Sequence, residues 1–361
     1  MPIEQSFVEV AEGLVPLLRE HAVEADRTGD LPDVVADAIR ARGLTNLEVP
    51  ASDGGRGADI ATAFEVHRTL AHGCSSTAWV TMILSGSGLL ASALPGEARR
   101  EVWGSEPDAA VASSLPQCGT AGNVEGGITV TGRWTPVSGV RHARWLVLAA
   151  RRDGTAPVLA VLPIKEGTVE RTWDTIGLRA TRSDTVVLHD VFVPASRVLP
   201  ITALETGSPG GRPFLPAAHV VLSAPLLGMA EAALEHTTTW LAQRQPPAES
   251  VRTLARAAGA VESAGVLLRA LAGELDRAPG PDAAARARVR LLVARAAAEL
   301  REAVSLSLAV FGSQGPVRQN PVERIRRDFE TAFTHILLSM DKALDEYGPL
   351  LLPARDSSGT S

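Results

Sequence analysis

A chain of 361 residues, 45% hydrophobic and 21% charged, is long enough to spread one function over two or three packed layers with ample core. Its net charge of −6 leaves no broad cationic field for nucleic acid, and no run of about 20 apolar residues offers a membrane span. Two cysteines, Cys74 and Cys118, are too few for a disulfide framework or a thiolate metal site and read as small buried hydrophobes. The opening MPIEQSFVEVAEGLV carries acids where a signal peptide has a basic region, so a cytoplasmic location is expected.

From the start to about residue 115 the apolar spacing is helical. Val8, Leu14, Leu17 and Leu18 make one face, and Val34, Val35, Ile39 and Leu44 make another. His67 and His72 are five apart and diverge by about 140° around a helix, which does not suit a shared metal. The run Gly86 to Ala91 matches the dinucleotide pattern G-x-G-x-x-A. The preceding segment has helical spacing, Pro95 follows closely and no second β-α unit appears, so this match fails its context. A redox protein without that fold receives its electrons from elsewhere.

From about 116 to 200 the period becomes two, in TrpLeuValLeu at 145–148, ValLeuAlaValLeu at 158–162 and ThrValValLeu at 185–188. The most informative stretch is 123–145, NVEGGITVTGRWTPVSGVRHARW. Gly126-Gly127 turns into a strand in which Ile128, Val130 and Gly132 alternate with Thr129 and Thr131. Ser138-Gly139 then offers a hydroxyl beside a bare backbone amide, a pair that suits the edge of a flavin ring.

After SPGGRPFLP at 208–216 the helical pattern returns. The Arg-rich run at 286–290 alternates sides of a helix and reads as a solvated or ion-paired face. For the last long helix Asn320 is the expected N-cap, Pro321 the first helical position and Glu323 the partner in a capping box. Ile325, Phe329, Phe333, Ile336 and Met340 form its expected buried stripe. Arg324, Asp328, Thr331 and His335 form a polar line about 130° away, with Asp328 expected to orient the helix end or bind Arg324 or Arg327. The expected organisation is a helical domain over 1–115, a β domain over 116–215, a helical bundle over 216–350 and a flexible tail over 351–361, ARDSSGTS at its end.

Several motifs in this order resemble the acyl-CoA dehydrogenase fold, in its group D branch of two-component flavin-dependent monooxygenases. They are GlyGlyArgGly at 54–57, SerSerThrAlaTrpVal at 75–80, the 123–145 block, ThrTrpAspThrIleGlyLeuArgAlaThrArgSer at 172–183, ValPheValPro at 191–194 and ArgArgAspPheGluThrAlaPheThrHis at 326–335. The resemblance implies an α+β, mostly α fold: an N-terminal helical domain, a β-barrel-like domain and a C-terminal four-helix bundle. It implies a homotetramer (or homodimer) that accepts reduced FMN or FAD from a separate reductase and uses O2 to oxygenate a small organic substrate through a C4a-hydroperoxyflavin. Its site residues transfer by position. Ser138 stands beside flavin N5 and C4a with Gly139 next to it, and Ser114 runs along the ring. Arg244 and the turn Phe311-Gly312-Ser313 resemble places that hold a neighbouring subunit's flavin. His335 stands over the flavin as a proton acceptor. Trp79, Ser85 and Ser87 line the implied substrate side, and no metal is implied.

Two departures mark this chain: Pro136 and Ile128 stand where many members have aromatics, and Ser85 to Gly88 where several hydroxylases have a histidine. A biosynthetic, aromatic or heteroatom-bearing substrate other than a plain phenol is therefore expected. Two rivals remain. An acyl-CoA dehydrogenase would need a carboxylate base such as Glu231, Glu235 or Glu262, since Asp341 has the wrong setting, and a non-redox relative would have lost the flavin. Neither a G-x-S-x-G elbow nor a P-loop supports hydrolase chemistry.

Overall fold

The computed structural model describes residues 5–152, 154–206, 214–277, 280 and 282–352. Five helices come first: α1 (Gln5–Thr28), α2 (Asp33–Ala41), α3 (Ile60–Ala71), α4 (Ser75–Ala91) and α5 (Gly96–Trp103). In α1, Val8, Ala11, Leu14, Leu18, Ala22 and Ala25 are buried at spacings of three and four, the stripe that an amphipathic helix turns to its core. Val35 and Ile39 of α2 face inward, whereas Val34 is half exposed, because adjacent helical positions point about 100° apart. Cys74, which precedes α4, is buried and free; the side chain of Cys118 lies outside the described residues.

The middle of the chain folds into seven strands: β1 (Val111–Val124), β2 (Gly127–Val137), β3 (Trp145–Arg152), β4 (Val158–Pro163), β5 (Thr168–Glu170), β6 (Asp184–Pro194) and β7 (Val198–Pro200). They form one sheet in the order β5-β6-β2-β1-β3-β4-β7. The β1–β2 hairpin turns through Glu125-Gly126, pairing Val124 with Gly127, and β1 also runs parallel to β3. Trp134 is fully buried and donates its indole N–H to Ala149 O at 2.8 Å, so a large apolar ring enters the core with its one polar atom paired.

The helices that follow are α6 (Ala203–Thr206), α7 (Phe214–Ala242), α8 (Ala248–Arg277), α9 (Ala283–Ala309), α10 (Pro321–Phe333) and α11 (Met340–Tyr347). α7 is apolar on most sides because α3, α4, α8, α9 and α10 all pack on it. By length and apolarity it matches a membrane span, against the sequence expectation of none, but 83% of its apolar window is buried inside the protein. In the Arg-rich run, Arg288 pairs with Glu274 and Arg290 with Glu346, the ion-paired face its spacing predicts.

The expected last helix divides in two. Asn320 caps α10 by accepting from Val322 N, and Pro321 begins it, but Glu323 accepts from Arg327 rather than closing a capping box. α10 stops at Phe333 with Thr334 as its C-cap, and the backbone is extended at His335. Ser339 caps the separate α11. Ile325 and Phe329 are buried as predicted, whereas Ile336, beyond the break, is 49% exposed. The proposed linker 208–216 lies mostly, and the tail from 353 wholly, outside the described residues.

Candidate active site

A cavity of about 740 Å³ opens where α4, the ends of β1 and β2, the 172–183 loop, the start of α7 and the α10–α11 junction converge. Trp79, Met82, Ile83, Phe214, Val221 and Leu222 give it a mainly apolar wall. Serine and threonine hydroxyls, Glu48, His335 and Lys342 supply the polar part of its lining. The rejected G-x-G-x-x-A run forms the C-terminal end of α4, where no phosphate loop exists.

Ser138 stands at the cavity just after β2. Gly139 turns the chain at φ 71°, and its amide donates to Thr181 O at 2.9 Å, so that amide is not bare as expected but ties the loop to the 172–183 segment. Ser138 Oγ lies 2.8 Å from Ser183 Oγ, which lies 2.8 Å from Thr181 Oγ1, and Thr181 donates to Leu178 O at 2.8 Å. One hydroxyl has one proton. Since Thr181 spends its proton on the carbonyl, Ser183 donates to Thr181 and Ser138 donates to Ser183. Ser138 therefore turns lone pairs, not a proton, to the cavity. Ser114, in the same wall, has a buried hydroxyl without a protein partner.

The 172–183 loop is held against α10 by Asp328. This carboxylate is 4% exposed and accepts from Leu178 N at 2.6 Å, at a residue whose φ is +48°. Burial is the main cause that pushes its pKa up to about 6. The expected pairing with a neighbouring arginine is not made: Arg327 bonds Asp26 and Glu323 instead. Close docking needs Gly177, where a Cβ would lie 2.0 Å from Arg327 O. Gly177→Ala is therefore expected to cost about 2 kcal/mol of stability, read as a lower urea midpoint; an unchanged midpoint would refute this contact.

His335 also lines the cavity, but not as a side chain on a continuing helix. It follows the end of α10 in extended conformation and caps the 336–338 turn, where its Nδ1 accepts from Leu337 N at 3.3 Å. The neutral ring consequently carries its proton on Nε2. Burial, with His219 nearby, lowers its pKa to about 4, so it is uncharged at neutral pH. Trp79 meets it edge-on, with ring centroids 5.9 Å apart.

Of the other candidates, Ser87 lines the cavity and bonds Ser113 Oγ at 2.7 Å. Ser85 is fully buried behind the wall and donates to Glu48 at 3.1 Å. Glu48 itself lines the cavity and was missed in the sequence, where its one signal is an acid between Leu47 and Val49. Arg244 and Phe311 come together elsewhere. The Arg244 guanidinium stacks 4.0 Å over Trp240, whose ring lies 4.7 Å from Phe311, beside Gly312 and Ser313. About 20 helical residues separate this cluster from the cavity, roughly 30 Å along α7.

The three carboxylates named from the sequence as a dehydrogenase base lie outside the cavity. Glu231 bonds Arg68 and His72, Glu235 bonds Arg19, and Glu262 is exposed on α8. His72 and His67 share no ligand: His67 is fully buried, with neither ring nitrogen partnered.

Residues 6–98 match the family described as acyl-CoA dehydrogenase, N-terminal domain, and residues 220–340 match acyl-CoA dehydrogenase, C-terminal domain. The chain is 33% identical over 238 residues to the flavin-dependent monooxygenase oxygenase subunit HsaA of Rhodococcus jostii, 62% of each chain. It is 33% identical over 206 residues to the FADH(2)-dependent resorcinol hydroxylase oxygenase component of a Rhizobium species, 55% of this chain. These matches span 62% and 50% of the two relatives' own lengths. Among solved structures, XiaF from a Streptomyces species, in complex with FADH2 and glycerol, superposes with a TM-score of 0.91 at 31% identity over 96% of this chain and 95% of that one. With both helical segments matched and the fold shared along nearly the whole length, the chain belongs to the acyl-CoA dehydrogenase-fold superfamily.

Proposed function

We propose that this protein is the oxygenase component of a two-component system, taking reduced FAD or FMN from a separate reductase and inserting one atom of O2 into a small organic substrate. Bound reduced flavin would supply the electrons that make O2 reactive, with the second oxygen atom leaving as water. The observation that carries this reading is the relay that ends on Ser138. Lone pairs at that position match the N5–H of a reduced flavin and mismatch the unprotonated N5 of an oxidised one. The unpartnered Ser114 hydroxyl adds a polar group that a flavin edge would satisfy.

In this reading Ser138 and Ser114 orient the ring, Gly139 fixes the loop that presents Ser138, and the apolar wall excludes water. His335 holds a proton at Nε2 and donates it as a hydrogen bond toward the reacting oxygen. The Arg244–Trp240–Phe311 cluster with Gly312 and Ser313 is too distant for the same ring and suits the far half of a neighbouring subunit's flavin, which makes a homotetramer part of the proposal. A cytoplasmic location fits this dependence on a soluble reductase. Trp79 and Ser87 lie on the substrate side, and an aromatic or heteroatom-bearing substrate fits the apolar wall.

The test is anaerobic titration with reduced and oxidised FAD, followed by rapid mixing of the reduced complex with O2. Reduced FAD is expected to bind about tenfold tighter, and Ser138→Ala to erase most of that preference. A transient absorbance distinct from both flavin redox states should follow mixing. Equal affinity for both forms, with reoxidation at the rate of free flavin, would exclude this function and favour a flavin-free relative. Bleaching of bound oxidised flavin by an acyl thioester without O2 would favour the dehydrogenase.

A further inference from the structure

Within the Arg-rich run of α9, the Arg288 side chain is 43% exposed but that of Arg290 only 11%. Arg290 reaches the junction that carries His335. Its Nη1 donates to Glu346 of α11, and its Nη2 donates at 3.4 Å to the carbonyl of Ile336, the first residue of the 336–338 turn that His335 caps. α9 packs against both that turn and α11, so one guanidinium fastens two short elements to a long helix. An ammonium lacks the fixed planar fork that serves a carboxylate and a carbonyl at once.

The turn needs such a tether, because its own bonds are weak. Ser339 N reaches Ile336 O at 3.3 Å and Leu337 N reaches His335 Nδ1 at 3.3 Å, both longer than an ordinary N–H hydrogen bond. A competitor stands nearby. His219 on α7 donates from Nδ1 to Leu215 O at 2.7 Å, which leaves its Nε2 an acceptor, buried and without a protein partner. It lies near enough to His335 to add to the lowering of that ring's pKa by burial. An orphaned buried acceptor is costly, so a His335 ring freed from Leu337 N would turn its Nε2–H to His219 and away from the cavity. Resting on the proposed oxygenase reading, we infer that Arg290 is a positioning residue: by holding the 336–338 turn it keeps His335 on Leu337 N, with its Nε2–H aimed into the cavity.

A crystal structure of Arg290→Met, solved without flavin, reads the ring directly: His335 Nδ1 is expected to stand beyond about 3.5 Å from Leu337 N. The second readout is the lifetime of the transient absorbance after the reduced-FAD complex meets O2, which requires no organic substrate. Arg290→Met should shorten that lifetime about tenfold in the parent but less than about twofold in a His335→Ala background, because its effect passes through the lost ring. Adding His219→Phe to Arg290→Met removes the competing acceptor and should restore the lifetime to within about threefold of the parent. Should Arg290→Met not fold, Arg290→Lys, which retains a cation for Glu346 without the fork, goes through the same measurements. A ring still on Leu337 N, equal shortening in both backgrounds, or no rescue by His219→Phe would overturn the role of Arg290. A parent that shows no transient, with the ring displaced in Arg290→Met, would instead overturn the oxygenase reading alone.

Discussion

His335→Ala is expected to lower oxygenated product per unit time by roughly 10²–10³-fold, the usual cost of removing one donor aimed at developing negative charge. His335→Gln, whose amide can place an N–H near the position of Nε2, should recover part of that loss. This rescue separates a hydrogen-bond donor from the proton acceptor that the sequence pattern implied. Because Leu337 N occupies Nδ1, the neutral ring has its proton on Nε2, and accepting another there requires breaking the Leu337 bond and changing tautomer. The pH profile gives an independent reading. With its pKa held at about 4 by burial and His219, His335 stays neutral from pH 8 to pH 6, and product formation should not bend near 6.5 on its account. An inflection near 6.5 that vanishes in His335→Gln, with no rescue of rate, would restore the general-base role. Reduced flavin consumed without product would show that the variant still meets O2 but no longer directs the oxygen.

Much of this architecture was legible because periodicity reports burial directly. Val8, Leu14 and Leu18 announce α1, and the alternation from Ile128 to Val130 announces β2. What local pattern misses is decided by partners far along the chain. Ser138 is visible in the sequence, but the direction of its proton depends on Ser183 and Thr181, 45 and 43 residues later. His335 does line the cavity, yet the helix that was to carry it ends two residues earlier and the backbone is extended at His335 itself. Asp328 was read beside its nearest arginines and instead holds the strained amide of Leu178, 150 residues away. Glu48 gave almost no signal, since an isolated acid in an apolar run is recognised as a cavity residue only once α4 has closed over it.

The same burial that keeps these groups neutral should make the protein sensitive to mild acid. His67 is wholly buried with a pKa lowered to about 3, and His219, 9% exposed, is lowered to about 4, in both cases chiefly by desolvation. For a histidine depressed in the folded state, stability is complete above the unfolded value of 6.5 and is lost as pH falls toward the folded value. His335, lowered to about 4, behaves in the same way, so at pH 5 each of the three contributes a loss of about 2 kcal/mol, about 6 kcal/mol together. Asp328 acts in the opposite sense. Raised from 3.8 to about 6, it returns roughly 1.4 kcal/mol as pH falls from 7.5 to 5, so the histidines win and a net loss of about 4.5 kcal/mol remains. Glu231 and Glu235, whose pKa values are lowered by their partners, enter only below about 4.5 and deepen the loss there. Urea midpoints at pH 7.5 and pH 5 measure the net change. His67→Leu removes a ring with two unpartnered nitrogens from the core, and about a third of the histidine contribution should go with it. If the fall between the two pH values is as large in His67→Leu as in the parent, the acid sensitivity has another origin, and the ion pairs of Glu231 and Glu235 with Arg68, His72 and Arg19 become the place to look.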